Sequence, residues 1–548
     1  MEIIQVLLRE SPQAWRRALV LAALAGLGNA AILGIINRGA TLASSGGSFL
    51  SLRLLLLFAL CMIAFFVGKR YALIQSSVIV EFMLKKRLVR VSDKIRNSDL
   101  EMVESLGRGE LYTKISQDTS LISQSGLIMV NAAQQSLVLI FCLGYIAWLS
   151  RLAFIATVAM VALGTTIYFK HAKSAQELLH RLKVKEAELV DALGHMVDGF
   201  KEIRLNRKKS DAVFKAFDGI SDSVRDIKID TQVNFVIDIM FSDLFFYSLL
   251  GIVVFLLPRL QPSYSALVLM TTAAILFIMG PLQLVVQAAP VFARAQAAIR
   301  NLDELEQKLD AALGVPREAF PDGKGAKGFD GFQNFALEGV RFSYAQREGA
   351  SGIFSVGPLN FEVRRGETVF LVGGNGSGKT TVLKLLCGLY FPQHGAITVD
   401  GRPLDRKTMH GYRELFSTVY SDFHLFDRLY GMECIDSARV SAVLDEMQLS
   451  EKTRFEDGRF TDLNLSTGQR KRLALAVALM EDKPILVFDE WAADQDPHFR
   501  QYFYDVVLKR LKAEGKTVLA VTHDDRYWAA ADRVLKMEYG VIVDDRRN

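Results

Sequence analysis

The chain has 548 residues, of which 50% are hydrophobic and only 12 are proline, with a mean hydropathy of +0.21. It is too long for one ordinary domain and too apolar to be soluble throughout. A formal net charge of +5, with the basic residues spread between apolar runs, gives no footprint for nucleic acid, and none is expected as a partner. Cys61, Cys142, Cys387 and Cys434 show no paired spacing and read as structural rather than as metal ligands or disulfides.

A hydrocarbon core takes about 20 helical residues to cross. Six runs qualify: Trp15–Asn37, Leu52–Ile74, Met129–Ser150, Leu152–Lys170, Ile237–Pro258 and Ala266–Pro290. The first, with Arg16 and Arg17 near its start, is followed by no cleavage pattern, so it reads as an uncleaved helix with a cytoplasmic N-terminus and too few residues ahead of it for another domain. Segments 69–128 and 170–230 are rich in Lys and Arg, whereas the short connections hold only Arg151 and Arg259. The long basic segments are therefore cytoplasmic, and the partner of the apolar runs is a lipid bilayer. Helical periodicity in VKEAELVDALGHMVDGFKEIRLN (184–206) extends the spans beyond the bilayer, with tips placed to meet soluble machinery.

Asn29, Gln134, Gln135, Asp238, Asp243, Gln283 and Gln287 fall inside these runs. A carboxylate at that depth faces a cavity or a partner, so Asp243, Asp238 and Gln287 are candidates for a substrate cavity. Water at a helix end is an equal reading for Asp238, and the amides serve bonds between helices as readily as substrate contact.

Residues 313–330, LGVPREAFPDGKGAKGFD, have no apolar period and read as a linker. The expected domains are 1–312 in the membrane and 331–548 in solution. A strand over Thr368–Val372 runs into Gly373, Gly374, Asn375, Gly376, Ser377, Gly378, Lys379 and Thr380, with Thr381 in the helix that follows. This is G-x-x-x-x-G-K-[ST] in its strand–loop–helix context. Backbone N–H groups cradle phosphates there, Lys379 reaches the β- and γ-phosphates, and the Thr380 hydroxyl suits Mg²⁺. In ILVFDEWAADQDP (485–497) an apolar strand ends in adjacent acids. Asp489 suits the metal, and Glu490 suits the base that activates water.

Leu465-Ser466-Thr467-Gly468-Gln469 resembles the LSGGQ signature of ATP-binding-cassette proteins, with Thr for the first Gly. Tyr344 in VRFSY resembles the aromatic that stacks on adenine, Asp496 the D-loop acid, and His523 in AVTHDD the switch histidine. The chain thus resembles an exporter-type half-transporter. That resemblance implies a polytopic α-helical membrane domain fused to an α/β cassette, with ATP and Mg²⁺ as cofactors. It also implies a homodimer in which Ser466, Thr467, Gly468 and Gln469 contact the ATP of the partner subunit, and an ATPase in which Glu490 and His523 act on the γ-phosphate.

Two departures refine the reading. VYSDFHLF (419–426) places the shorter-reaching Ser421 where most cassettes carry Gln, so Ser421, Asp422 or water is left to complete the metal site, or this loop contributes less to sensing the nucleotide. Common exporters follow the paired acids with Pro-Thr-Ser-Ala-Leu-Asp, whereas Trp491-Ala492-Ala493-Asp494-Gln495-Asp496, with SDFHLF and HFRQYFY, resembles the bacterial cyclic-peptide exporters and their siderophore branch. That implies ATP-driven export of a peptide-like metabolite, a pyoverdine-type siderophore precursor, across the bacterial inner membrane. The alternatives are a flippase for lipids or hydrophobic drugs, and an ATP-gated regulatory membrane protein that transports nothing.

Overall fold

A computed structural model describes residues 12–44, 52–261, 264, 267–313, 329, 331–344, 354–432 and 434–548. The expected linker lies almost wholly outside the described residues, as does the first residue of the sixth expected span. The chain divides into two units, Met1–Ser92 with Gly109–Leu305, and Asp93–Arg108 with Glu306–Asn548.

The described part of the first unit is helical, as its long apolar runs require. Among the described residues, five helical stretches are long and apolar enough to cross a membrane: Val20–Leu42, Leu52–Arg96, Lys114–Leu149, Arg207–Leu260 and Val268–Ala311. The fourth expected span, Leu152–Lys170, begins the helix Arg151–Asp198, whose apolar part, among the described residues, is the shorter Arg151–Ile167. Most of these helices run on well past the apolar stretch, as the charged periodic segments anticipate. Leu55, Leu56, Leu60, Phe66 and Val67 are exposed along the second helix, an arrangement suited to lipid rather than water. Inside the bundle Val138, Cys142, Ile146, Ala153, Val253 and Ile275 are fully buried together. Gln134 departs from the expected bonding between helices: it is buried, and both atoms of its amide lack a hydrogen-bond partner among the described residues.

In the second unit, a four-stranded antiparallel sheet orders as β2-β1-β4-β5: β1 (Asn334–Ser343), β2 (Ser355–Arg364), β4 (His394–Val399) and β5 (Arg402–Pro403). A six-stranded sheet combines β3 (Thr368–Gly373), β6 (Phe416–Val419), β9 (Ile485–Asp489), β10 (Thr517–Val521), β11 (Arg533–Glu538) and β12 (Val541–Arg547) in the order β12-β11-β3-β10-β9-β6. The short hairpin β7 (Phe455–Glu456) and β8 (Arg459–Phe460) lies apart from both. All neighbours in the larger sheet are parallel except β11 and β12. Parallel strands are covered on both faces, which is why TVFLV, ILVF and TVLAV are nearly continuous apolar runs. Their alternate residues feed two cores: Val369, Leu371 and Val487 pack with the antiparallel sheet, and Phe370, Val372 and Phe488 pack with helices.

Two stretches before residue 313, Asp93–Arg108 and residues 306–312, group with the cassette strands. On Asp93–Arg108, from the first long basic segment, acids meet cassette cations. Glu104 on the helix Leu100–Leu106 takes a bond from Lys384 Nζ at 2.8 Å and one from the Tyr390 hydroxyl at 2.5 Å. Asp99 takes one from Arg406 at 2.8 Å. Since Lys384 and Tyr390 are largely shielded, Glu104→Ala removes their common acceptor and leaves them the long 3.4 Å bond to each other. We expect the cassette's melting midpoint to fall by about 2–4 °C, as for a loss of about 1 kcal/mol in a domain of this size, measured by scanning fluorimetry.

Candidate nucleotide site

The site lies at the C-terminal ends of the parallel strands β3 and β9, where an open α/β sheet characteristically places ligands. Gly378 caps the helix Lys379–Leu386 with φ of 100°, and a Cβ there would stand 2.7 Å from Val356. Only glycine turns the chain at that point, and the turn leaves N–H groups at the helix start for anionic oxygen. A cavity of about 500 Å³ is lined by Tyr344, Phe354, Asn375, Gly376, Gly378, Lys379, Thr380, Thr381 and Glu490. Gly373, Gly374 and Ser377 lie on the same loop but outside the lining, and Ser377 is buried. Phe354 was not anticipated: it comes from a second segment whose ring approaches Tyr344 at 6.4 Å, and no local motif marks it.

Lys379 is buried, and its ammonium donates to the carbonyl oxygens of Gly373 and Gly374 at 3.1 and 3.0 Å. Burial lowers its pKa, opposed by the charges of Glu490 and Asp489. The Tyr344 hydroxyl and the Thr381 hydroxyl are 2.8 Å apart, fixing the ring at the cavity edge.

Every residue of β9 is buried, and Asp489 ends it at 1% exposure. Its Oδ2 accepts hydroxyl bonds from Thr380 at 3.0 Å and Ser421 at 3.2 Å, while Oδ1 is buried with no hydrogen-bond partner among the described residues. Ser421 therefore reaches the acid, whereas Asp422 is exposed. A buried carboxylate oxygen without a partner beside two hydroxyls fits a hard cation such as Mg²⁺, which takes oxygen ligands and is completed by phosphate and water. Among the described residues no cluster of three or more His, Cys, Asp or Glu offers a cage of its own, so such an ion would depend on the nucleotide.

Glu490 sits in the left-handed region at φ 51° and ψ 32°, a conformation that costs a non-glycine residue about 1–3 kcal/mol and that persists only when its surroundings impose it. Its Oε1 is 2.9 Å from Nε2 of His523. The other named residues lie outside the cavity lining. Ser466 caps the helix Thr467–Met480 through a reciprocal pair with Gln469, and both Ser466 and Thr467 are exposed. Gly468 is required by close approach, since a Cβ would stand 2.9 Å from the Asp494 carbonyl oxygen. Asp496 caps the helix Pro497–Tyr502 by accepting from Phe499 N at 2.9 Å and pairs with Arg472. In the membrane unit Asp238 and Gln287 line a cavity of about 140 Å³ with Ser242 and Gln283. Asp243 is not in that lining; it accepts a 3.3 Å bond from Gln283.

The fold and the site define a protein with several apolar helices long enough to cross a membrane, carrying an ATP-binding cassette. The model of the ABC transporter family matches residues 356–493. The chain is 33% identical over 466 residues to the ATP-binding protein SyrD of Pseudomonas syringae pv. syringae, covering 82% of this chain and 81% of that one. It is 28% identical over 440 residues to the ATP-dependent lipid A-core flippase of Burkholderia orbicola, covering 76% and 70%. A bacterial Atm1-family ABC exporter solved with ATP bound shares its fold, with a TM-score of 0.74, 18% identity and coverage of 98% of this chain and 96% of that one. The chain belongs to the ABC transporter family.

Burial raises the pKa of Asp489, against the bonds from Thr380 and Ser421. An acid whose folded pKa lies above its unfolded one costs stability at any pH above the folded value, and that cost fades as the pH falls toward the unfolded value. Nucleotide-free Asp489→Asn should therefore melt above wild type at pH 7.5, by about 2–4 °C for each 1 kcal/mol relieved, with the gap closing on acidification. A lower midpoint at pH 7.5 would contradict this assignment.

Proposed function

We propose that two copies of this chain form an exporter of the bacterial inner membrane that couples ATP hydrolysis to outward movement of a peptide-like secondary metabolite, a pyoverdine-type siderophore precursor. The observation that carries the ATP-driven reading is the meeting of Glu490 and His523 at 2.9 Å beside the loop that holds Lys379. A nucleotide switch with no turnover has no need of that pair, which weighs against the regulatory reading.

In this account Lys379 exchanges two carbonyl oxygens for phosphate, and Tyr344 stacks on the adenine. Thr380 and Asp489, with Ser421 behind them, hold Mg²⁺, which when bound neutralises phosphate charge. Glu490 accepts the proton of the attacking water, and His523 fixes the carboxylate and reaches the γ-phosphate. Ser466 spends its lone pair on the helix cap and keeps its O–H free to donate, so with Gly468 and the helix N-terminus it suits the γ-phosphate held by a second copy. The two copies drive a change of access only if ATP binds the closed pair more tightly than the open one.

The siderophore cargo rests on the stretch from Trp491 to Asp496, and the amide and carboxylate groups of Asp238, Gln283 and Gln287 support a peptide-like ligand. A second reading, a lipid flippase, draws support from the flippase relative and from an apolar groove of about 600 Å³ lined by residues such as Leu179, Leu182, Ile229, Val233 and Val236. ATPase activity in lipid nanodiscs separates them: a siderophore peptide precursor should change the rate where an unrelated cyclic peptide and added lipid do not, and a response to lipid alone would favour the flippase. In the same assay Glu490→Gln should lower kcat by about 10²-fold or more, the scale of a lost general base, while ATP still binds. Normal turnover in that variant would remove Glu490 from its role.

A further inference from the structure

The stretch from Trp491 to Gln495 does more than separate Glu490 from Asp496. Trp491 is 1% exposed, its ring lies 4.5 Å from that of Phe503, and its indole N–H donates to the carbonyl oxygen of Lys471 at 2.7 Å. Lys471 lies on the helix that the signature opens, and it is buried, which is unusual for an ammonium group. Its Nζ donates to the Glu490 carbonyl oxygen at 2.8 Å and pairs with Asp494 Oδ2 at 2.7 Å. Gln495 adds a bond from Nε2 to the Gly468 carbonyl oxygen at 3.1 Å, and Arg472 holds Gln495 in turn at 2.9 Å. Pro, Ala and Leu at 491, 494 and 495, the residues of the commoner exporter motif, could form none of the four contacts that Trp491, Asp494 and Gln495 make with this helix.

We propose that Lys471 and Trp491 are positioning residues for hydrolysis: together they bind the signature helix to the backbone of Glu490 and hold that residue in its left-handed conformation. The direction of the Glu490 carboxylate follows from that backbone, and the carbonyl oxygen that receives the Lys471 ammonium belongs to the same residue. In the proposed dimer the signature serves the partner's nucleotide and Glu490 serves its own. The clasp therefore joins the two sites within one chain, so that the aim of the carboxylate and the placement of the signature are set by one group of bonds. This rests on the reading of Glu490 as the base.

The test uses the full chain in nanodiscs, with Trp491→Phe and Lys471→Met each made in wild type and in Glu490→Gln. Trp491→Phe keeps an aromatic ring and removes the N–H, so it is the variant that retains the fold. We expect kcat to fall about 3- to 10-fold for Trp491→Phe and about 10- to 100-fold for Lys471→Met, with KM for ATP within about threefold of wild type, because groups that act as a unit affect the transition state together. In the Glu490→Gln background neither change should lower the residual rate further, since there is no longer a base to aim. Wild-type kcat in Trp491→Phe and Lys471→Met, with Glu490→Gln inactive, would overturn the proposal and leave the base assignment standing. A further loss of the same size in the Glu490→Gln background would also overturn it, because the effect would then be independent of the carboxylate. Normal turnover in Glu490→Gln alone would remove the base assignment, and this proposal with it.

Discussion

Asp489 ends a strand buried along its whole length, and one oxygen of its carboxylate has no hydrogen-bond partner among the described residues. A charge in that position is unfavourable until something positive reaches it, and a phosphate-bound cation is the counter-charge that the neighbouring hydroxyls suit. The rest of the cassette follows from holding this acid in place. Parallel partners on both sides of β9 fix its register, the two apolar cores keep water from its faces, and β3 ends beside it with the loop that carries Lys379 and Thr380. The carboxylate raised by burial and the ammonium lowered by burial are two sides of one arrangement: both groups are less favourable charged in the nucleotide-free fold than in water.

What the cassette lacks is as specific as what it holds. The signature residues Ser466 and Thr467 are exposed and line no part of the cavity around Lys379. A helix N-terminus with a hydroxyl and a glycine facing outward is a phosphate site on the wrong side of its own chain, and a second copy supplies the phosphate in the proposed dimer. The tip of the second long basic segment, Phe200–Leu205, exposes Phe200 and Leu205 as apolar side chains at the end of long polar helices. Both features point to surfaces whose partners lie outside one chain.

Much of this was legible before any coordinates. The Gly373–Thr380 loop and the pair Asp489–Glu490 each combine a local motif with the strand that delivers it, so sequence spacing alone put them at one edge of one sheet. The long apolar runs were equally plain, since their length is set by the bilayer and not by tertiary detail. Phe354 escaped because it enters the cavity from a separate strand start, and Lys471 because a buried ammonium looks like any surface lysine until its partners are known. The membrane polar groups were the hardest to order. Depth marks Asp243, Asp238 and Gln287 alike as cavity candidates, yet the fold pairs Asp243 with Gln283 and leaves Asp238 and Gln287 at the small cavity, a matter of helix rotation that spacing does not carry. Ser421 was left open as one of three ways to complete the metal site, and its hydroxyl turns out to reach Asp489 directly.

In the proposed dimer the phosphates held by the loop of one chain are closed over by the signature of another. Two differently tagged copies, one Asn375→Cys and the other Thr467→Cys, both with Glu490→Gln to hold ATP and with the exposed Cys434 replaced by Ser, test it by oxidative cross-linking in nanodiscs. The account predicts a covalent pair of unlike tags that forms with ATP and Mg²⁺ and not without nucleotide. Absence of that pair under conditions where ATP is bound would contradict it.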